Sequence, residues 1–234
     1  SALMRDAVRP NLVQTIEGCP AFVHGGPFGN IAHGCSSLIA TKAALGLGDF
    51  VVTEGGFGSD LGGEKFLNIV TRSLGYGPDA IVLVATVRAL KFHGNGDLAE
   101  GCSNLRQHLS HLSHYGPPVI VAVNKFKDDT DEELEFVANV ARAEGVQAVV
   151  CDPWMGGGED TVLEICVKLF PAEGLTIFDD SKTDSENLVG QAHQRGLLAL
   201  ATFHELQEVV LQRTFHSHGI EGGHIHGLSQ VFVP

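Results

Sequence analysis

The sequence predicts an α/β protein, a mostly parallel sheet with helices on both of its faces. Three observations predict it. Short apolar, β-branched runs recur as far as Cys151, and they are apolar enough to be strands buried on both sides. Segments with helical periodicity stand between them, and strand–helix–strand alternation calls for right-handed, parallel connections. Each run is followed by a polar, glycine-rich or aromatic stretch, and in such sheets ligands sit beyond the carboxyl ends of the strands.

Residues 1–17 form a polar–apolar lead-in, and Pro20–His24 (PAFVH) is a short strand candidate broken by Gly25-Gly26-Pro27. Asn30–Leu45 has helical composition, with Ile31, Leu38, Ile39 and Leu45 available for a buried face. Phe50-Val51-Val52-Thr53 is an apolar β-branched strand, a glycine loop follows, and a helix is expected from about Glu64. Asp79–Val87 (DAIVLVATV) is the most apolar run and the expected central strand. Leu98, Cys102, Leu105, Leu109 and Leu112 step by four and three, the spacing of an amphipathic helix. Pro118–Asn124 is the next buried strand, with Val119–Val123 expected beside Ile81–Thr86 in parallel. Thr130 and Glu133 make a capping box, opening a helix that buries Leu134, Val137, Val140 and Ala141. Val146–Cys151 is a further strand, and Glu159–Phe170 a helix with Val162, Ile165, Cys166 and Leu169 inward. Past Pro171 the pattern weakens: Asp179–Glu186 reads as a solvated loop and Asn187–Arg213 as helix-compatible. The expected organisation is one domain over residues 1–172 and a His-rich C-terminal segment, 173–234.

Composition narrows the function. A net charge of −13 argues against a nucleic-acid or anionic-membrane surface. No apolar run reaches the length of a membrane span, and no signal-peptide pattern opens the chain. Five cysteines, at 19, 35, 102, 151 and 166, lie in apolar segments without C-x-x-C spacing and read as buried reduced thiols of a cytoplasmic protein. The opening SALMRDAVRPNL already resembles mid-protein sequence, so the chain is expected to be a segment of something longer.

The chemistry is expected at the strand ends. Between Glu54 and Glu64 stand five glycines, Gly55, Gly56, Gly58, Gly62 and Gly63. A strand, a glycine loop and a helix N-terminus together suit an anion; a tight turn using glycine for positive φ is the plainer account. Gly58 to Gly63 has P-loop spacing, but Glu64 follows, Lys65 comes one position late, and no Ser or Thr completes the motif. Arg88, Lys91 and His93 after the Asp79–Val87 strand suit a phosphate or carboxylate, or are surface charge. Asn124-Lys125-Phe126-Lys127-Asp128 misses a guanine-binding N-K-x-D by one residue. Trp154, the single tryptophan, precedes Gly156-Gly157-Gly158; core packing is its usual fate, but opposite Phe126 it could clamp a flat heterocycle. His24 and His33 flank PFGNIA and suit hydrogen-bonding roles better than metal ligation, since no third ligand stands nearby. The tail pairs His216/His218 and His224/His226 lack the carboxylate or cysteine spacing that would complete a zinc site, and no metal site is assigned.

Together these stretches resemble formate–tetrahydrofolate ligase. The resemblance rests on PNLVQTIEGCPAFVHGGPFGNIAHGCSS (10–37), DFVVTEGGFGSDLGGEKF (49–66), PDAIVLVATVRALKFHG (78–94), PPVIVAVNKFKDDTDEE (117–133) and Trp154 before its glycines. It covers about residues 2–170 and implies a P-loop NTPase-like core whose P-loop segment lies upstream of Ser1. Also implied is synthesis of 10-formyltetrahydrofolate from formate and tetrahydrofolate through formyl phosphate, with ATP, Mg²⁺ and a monovalent cation, in a homotetramer. The resemblance assigns Phe126 and Trp154 to a pterin sandwich, with Asn124 on the folate side. It assigns His24, His33 and Arg88 to the transfer centre and Glu54, Gly55, Gly56, Gly58, Gly62 and Gly63 to a phosphate or formyl loop. Departures are Gly29, Gly55 and Ser59 where the family has alanine, a short Gly94–Gly101 connection, and no recognisable family segment after about Pro171. The competing reading is a non-catalytic folate-binding or assembly module that kept the fold without ATP chemistry.

Overall fold

The computed structural model describes residues 2–15, 20–24, 35–48, 50–153, 197–203 and 230–233. In chain order its elements are β1 (Asn11–Gln14), β2 (Pro20–Val23), α1 (Leu38–Leu45), β3 (Phe50–Gly55), α2 (Thr71–Leu74), β4 (Ala80–Ala85), α3 (Val87–His93), α4 (Leu98–Ser113), β5 (Val119–Asn124), α5 (Asp131–Ala143), β6 (Gln147–Cys151), β7 (Leu197–Phe203) and β8 (Gln230–Val233). They divide into two compact units: residues 1–77 with 196–234, and residues 78–195.

The second unit is the predicted α/β arrangement. Its strands run β4-β5-β6, all parallel, with Ile81 beside Val119 and Asn124 beside Cys151. The expected pairing of Ile81–Thr86 with Val119–Val123 is therefore found, with Thr86 just past the strand as the cap of α3. β4 and β5 are buried along nearly their whole length, as a strand covered on both faces must be. α4 buries Cys102, Leu105, Leu109 and Leu112, the expected stripe, and adds Gly101 and His108. α5 opens on the Thr130–Glu133 capping box and buries Leu134, Val137, Ala138, Val140 and Ala141. Each fully buried leucine or valine of such a stripe contributes about 1.5–3 kcal/mol relative to exposure. α3 and α4 pack at backbone contact: a Cβ on Gly101 would stand 1.8 Å from the Leu90 carbonyl oxygen.

The first unit is a mixed sheet in the order β1-β2-β8-β3-β7. β1/β2, β2/β8 and β8/β3 are antiparallel, and β3/β7 is parallel. Three expectations change here. Residues 197–203, within the segment read as helix-compatible, form a strand; LLALATF is a short apolar run that periodicity cannot assign, and pairing with β3 decides it. α1 turns Ala40, Thr41 and Ala44 inward and leaves Ile39 exposed and Leu38 and Leu45 half-buried. Small side chains on that face allow a close approach. The helix expected from Glu64 starts five residues earlier, at Ser59, as a π-helical turn Ser59–Gly63, and a second π turn spans Phe66–Val70. The expected helix Glu159–Phe170 and the histidines of the tail lie outside the described residues.

Candidate functional site

In the first unit the site begins where β3 ends. Glu54 is half-buried, and no hydrogen bond or ion pair reaches its side chain among the described residues. Burial pushes its carboxyl up to about 7. Gly55, Gly56 and Gly58 follow, all buried, and Phe57 between them sits at φ 66°, a left-handed conformation that costs a non-glycine residue energy. The π turn comes next, and such turns recur at functional sites. Its N–H groups are largely engaged. Leu61 donates to the Gly58 carbonyl at 3.0 Å, Gly62 to Gly56 at 2.9 Å and Gly63 to Gly58 at 3.4 Å. Gly55 lies against Gly63 so tightly that a Cβ on Gly55 would stand 2.6 Å from the Gly63 nitrogen. Here the glycines serve a close passage of backbone on backbone, so an alanine at position 55 would force this turn to shift.

His24 stands one residue past β2, with both ring nitrogens engaged. Nε2 lies 2.9 Å from the Ala7 carbonyl and Nδ1 2.5 Å from Ser37 Oγ. A carbonyl only accepts, so Nε2 carries the proton and the Ser37 hydroxyl donates to Nδ1. Ser37 Oγ also accepts from the Ala40 N–H at 3.0 Å as the N-cap of α1. The His24 carbonyl accepts from Ser36 Oγ and from the Ser37 N–H, each at 3.1 Å. Cys35, fully buried beside these serines, has its thiol pushed up to about 12 by burial and then by the charge of Glu54. Ser37 was legible only as a cap signal, a serine before an apolar helix; nothing in the sequence marked it as the partner of His24.

In the second unit, Asn124 closes β5. It is buried, and among the described residues its Oδ1 accepts no hydrogen bond. The ladder continues one step past it, the Lys125 N–H donating to the Cys151 carbonyl at 2.9 Å. The half-buried Phe126 is held by a local turn: its N–H donates to Asp129 Oδ2 at 2.8 Å, and the Asp129 N–H donates back to the Phe126 carbonyl at 3.1 Å. Sequence reading missed Asp129, although an Asp five residues past a strand end, in a polar stretch, is a turn signal. Burial raises its carboxyl, and the Phe126 N–H partly offsets that. Lys125 reaches Asp131 at 2.9 Å, which raises its ammonium.

The cationic stretch Arg88–Gly94 is not a loop. Thr86 Oγ1 accepts from the Ala89 N–H at 3.1 Å and starts α3 directly. Arg88 is exposed on its first turn, and Lys91 is paired with Glu133 of α5. His33 and Trp154 lie outside the described residues, as do Gly156–Gly158. β5 and β6 are adjacent and parallel, so Asn124 and Cys151 end at the same sheet edge.

A family model described as formate–tetrahydrofolate ligase matches residues 1–172, which include every strand exit of β2 to β6. The chain belongs to the formate–tetrahydrofolate ligase family. Among proteins named formate–tetrahydrofolate ligase, that of Arthrobacter sp. (strain FB24) is 54% identical over 182 residues, 73% of this chain and 32% of its own length. That of Limosilactobacillus reuteri is 44% identical over 212 residues, 82% of this chain and 38% of its own. That of Cereibacter sphaeroides is 42% identical over 238 residues, 96% of this chain and 40% of its own. This last match runs past Pro171, where the sequence by itself showed no family segment. The chain thus spans about a third of the length of the curated ligases it matches.

Proposed function

We propose that this chain carries the folate and formyl-transfer side of an ATP-dependent ligase. The complete enzyme joins formate to tetrahydrofolate through formyl phosphate, giving 10-formyltetrahydrofolate. Within a chain of this family, one observation carries the reading: a buried amide oxygen, Asn124 Oδ1, unpaired among the described residues, stands two residues before Phe126 at a strand exit. A buried acceptor without a donor costs about 1–3 kcal/mol, and a ligand N–H removes that cost. A pterin offers such N–H donors on a flat ring that Phe126 and Trp154 can stack. His24, His33, Arg88 and the Glu54–Gly63 loop are assigned to the formyl side.

ATP, Mg²⁺ and a monovalent cation belong to this reading for the complete enzyme. Among the described residues, the glycine turn does not fit a nucleotide cradle. The Leu61, Gly62 and Gly63 N–H groups are spent on Gly56 and Gly58, and no Lys-Ser or Lys-Thr follows them. A cytoplasmic homotetramer completes the reading, and light scattering on the eluting protein tests the assembly.

Equilibrium binding of tetrahydrofolate and of ATP to the 234-residue chain separates the readings. Tetrahydrofolate binding is expected, and Trp154→Ala is expected to weaken it by about 1–3 kcal/mol, the usual value of a base stacked on an aromatic ring. An unchanged affinity in Trp154→Ala removes the clamp, and no folate binding by the parent removes the function. The engaged glycine-loop N–H groups favour the second reading, a folate-binding module without ATP chemistry, which binds tetrahydrofolate equally but supports no formyl transfer.

A further inference from the structure

We propose that Glu54 is the proton acceptor of the formyl-transfer step, a role that rests on the function proposed above. The placement comes from strand register. Ala21 of β2 and Val52 of β3 both pair with Val231 of β8, and β8 runs antiparallel to both. β2 and β3 therefore point the same way, and Val23 is level with Glu54. Their carboxyl ends share one sheet edge, two strand spacings or about 10 Å apart. That edge brings together His24, Ser37, Cys35 and Glu54, with the glycine turn beside them.

The chemistry of these groups singles out one base. His24 has no spare lone pair, since Nδ1 takes the Ser37 hydroxyl and Nε2 holds a proton for the Ala7 carbonyl. Cys35 keeps its proton, its thiol being raised to about 12. Among the described residues, the elements packed on β3 bring few other charges: Lys42 on α1 and Asp60 on the π turn are both exposed, and β7 and β8 contain no ionisable residue. Glu64 and Lys65, further along, have interactions of their own. Glu54 remains, half-buried and unpartnered, its carboxyl raised to about 7 where a base both ionises and accepts protons well.

The step balances without a further reactant. The amine nitrogen of the folate uses its lone pair to form the N–C bond to the formyl carbon. The C–O bond to phosphate breaks, and its electron pair leaves on the phosphate oxygen. The proton carried by that nitrogen passes to a Glu54 carboxylate oxygen and then to water.

The test supplies synthetic formyl phosphate and tetrahydrofolate to the full 234-residue chain and follows formyltetrahydrofolate formation from pH 5.5 to 8.5. The parent rate is expected to rise through a single ionisation near 7. Glu54→Gln is expected to lower kcat by about 100-fold or more, leave KM for tetrahydrofolate within about threefold, and abolish the pH step. Glu54→Asp is expected to keep the step at a reduced rate. A Glu54→Gln chain that turns over within about threefold of the parent, or that keeps the pH step, overturns the assignment. A parent that neither binds tetrahydrofolate nor forms product overturns the function itself, which the binding measurement reports separately. Should the variants not fold, the ¹³C titration of the Glu54 carboxyl in the parent decides. Ionisation below pH 5 overturns the role, and ionisation near 7 that moves when tetrahydrofolate binds supports it.

Discussion

Single residues at the strand ends carry more information here than the motifs around them. Glu54 shows how. Its carboxyl is raised from 4.5 to about 7 because burial disfavours the charge and no partner compensates it. Below pH 4.5 it is protonated in both the folded and the unfolded chain. Between 4.5 and 7 the unfolded chain ionises and the folded chain resists, so the stabilising difference present at low pH is lost as pH rises, and above 7 it is gone. The window corresponds to about 3 kcal/mol. Urea denaturation at pH 4.5 and 7.5 is expected to show a smaller loss of stability for Glu54→Gln than for the parent; equal losses show that Glu54 ionises normally. The sequence displayed a glutamate before five glycines but could not tell that the carboxyl is buried and unpaired, because burial depends on what the rest of the chain lays over it. For the same reason it could name His24 but not the Ser37 and Ala7 contacts that occupy both its nitrogens.

Among elements, α3 and α4 depend on a missing side chain. Gly101 lies on the Leu90 carbonyl, and a Cβ there would penetrate it at 1.8 Å. Gly101→Ala is expected to cost about 3 kcal/mol, the upper part of the range for overpacking, because the obstruction is backbone and cannot rotate away. Thermal melting of the variant checks it; an unshifted midpoint shows that the helices separate freely. The α5 cap is an ordinary case by comparison. Thr130→Ala removes an acceptor from the Glu133 N–H and is expected to cost about 1 kcal/mol. The periodic elements, α4, α5 and β4 to β6, were all legible, because their side-chain patterns report burial directly. α1 was legible as a helix, inside the span read over 30–45, but its buried face was not, and neither was the first π turn. In these two, glycine or alanine does the packing, and small residues leave no periodic apolar signal.

For the molecule as a whole, the family was readable from five sequence blocks, whereas the arrangement of its strands was not. Alternation predicted a mostly parallel sheet; pairing is parallel for β4, β5 and β6 and for β3 with β7, and antiparallel for β1 with β2 and around β8, which lies between β2 and β3. Nothing in QVFV announces its direction or its partners. The function divides in the same way. The 234 residues contain no G-x-x-x-x-G-K-[ST], and phosphoryl transfer needs a pre-formed cradle with a lysine at the transferred group. Purified alone, the chain is expected to release no ADP in a formate-dependent manner. Formate-dependent release above that of a boiled control contradicts this, and would show that another part of the chain holds the nucleotide.

Pairing β3 with β7 joins positions separated by 147 residues, from Phe50 to Leu197. At a ribosome's 5–20 residues per second, about 7–30 s pass after Phe50 is made before its neighbour exists. The second unit, residues 78–195, is synthesised during that wait. Throughout it, β3 offers unsatisfied amides and carbonyls to any other extended strand in the cell, the condition under which nascent chains pair wrongly and need chaperones.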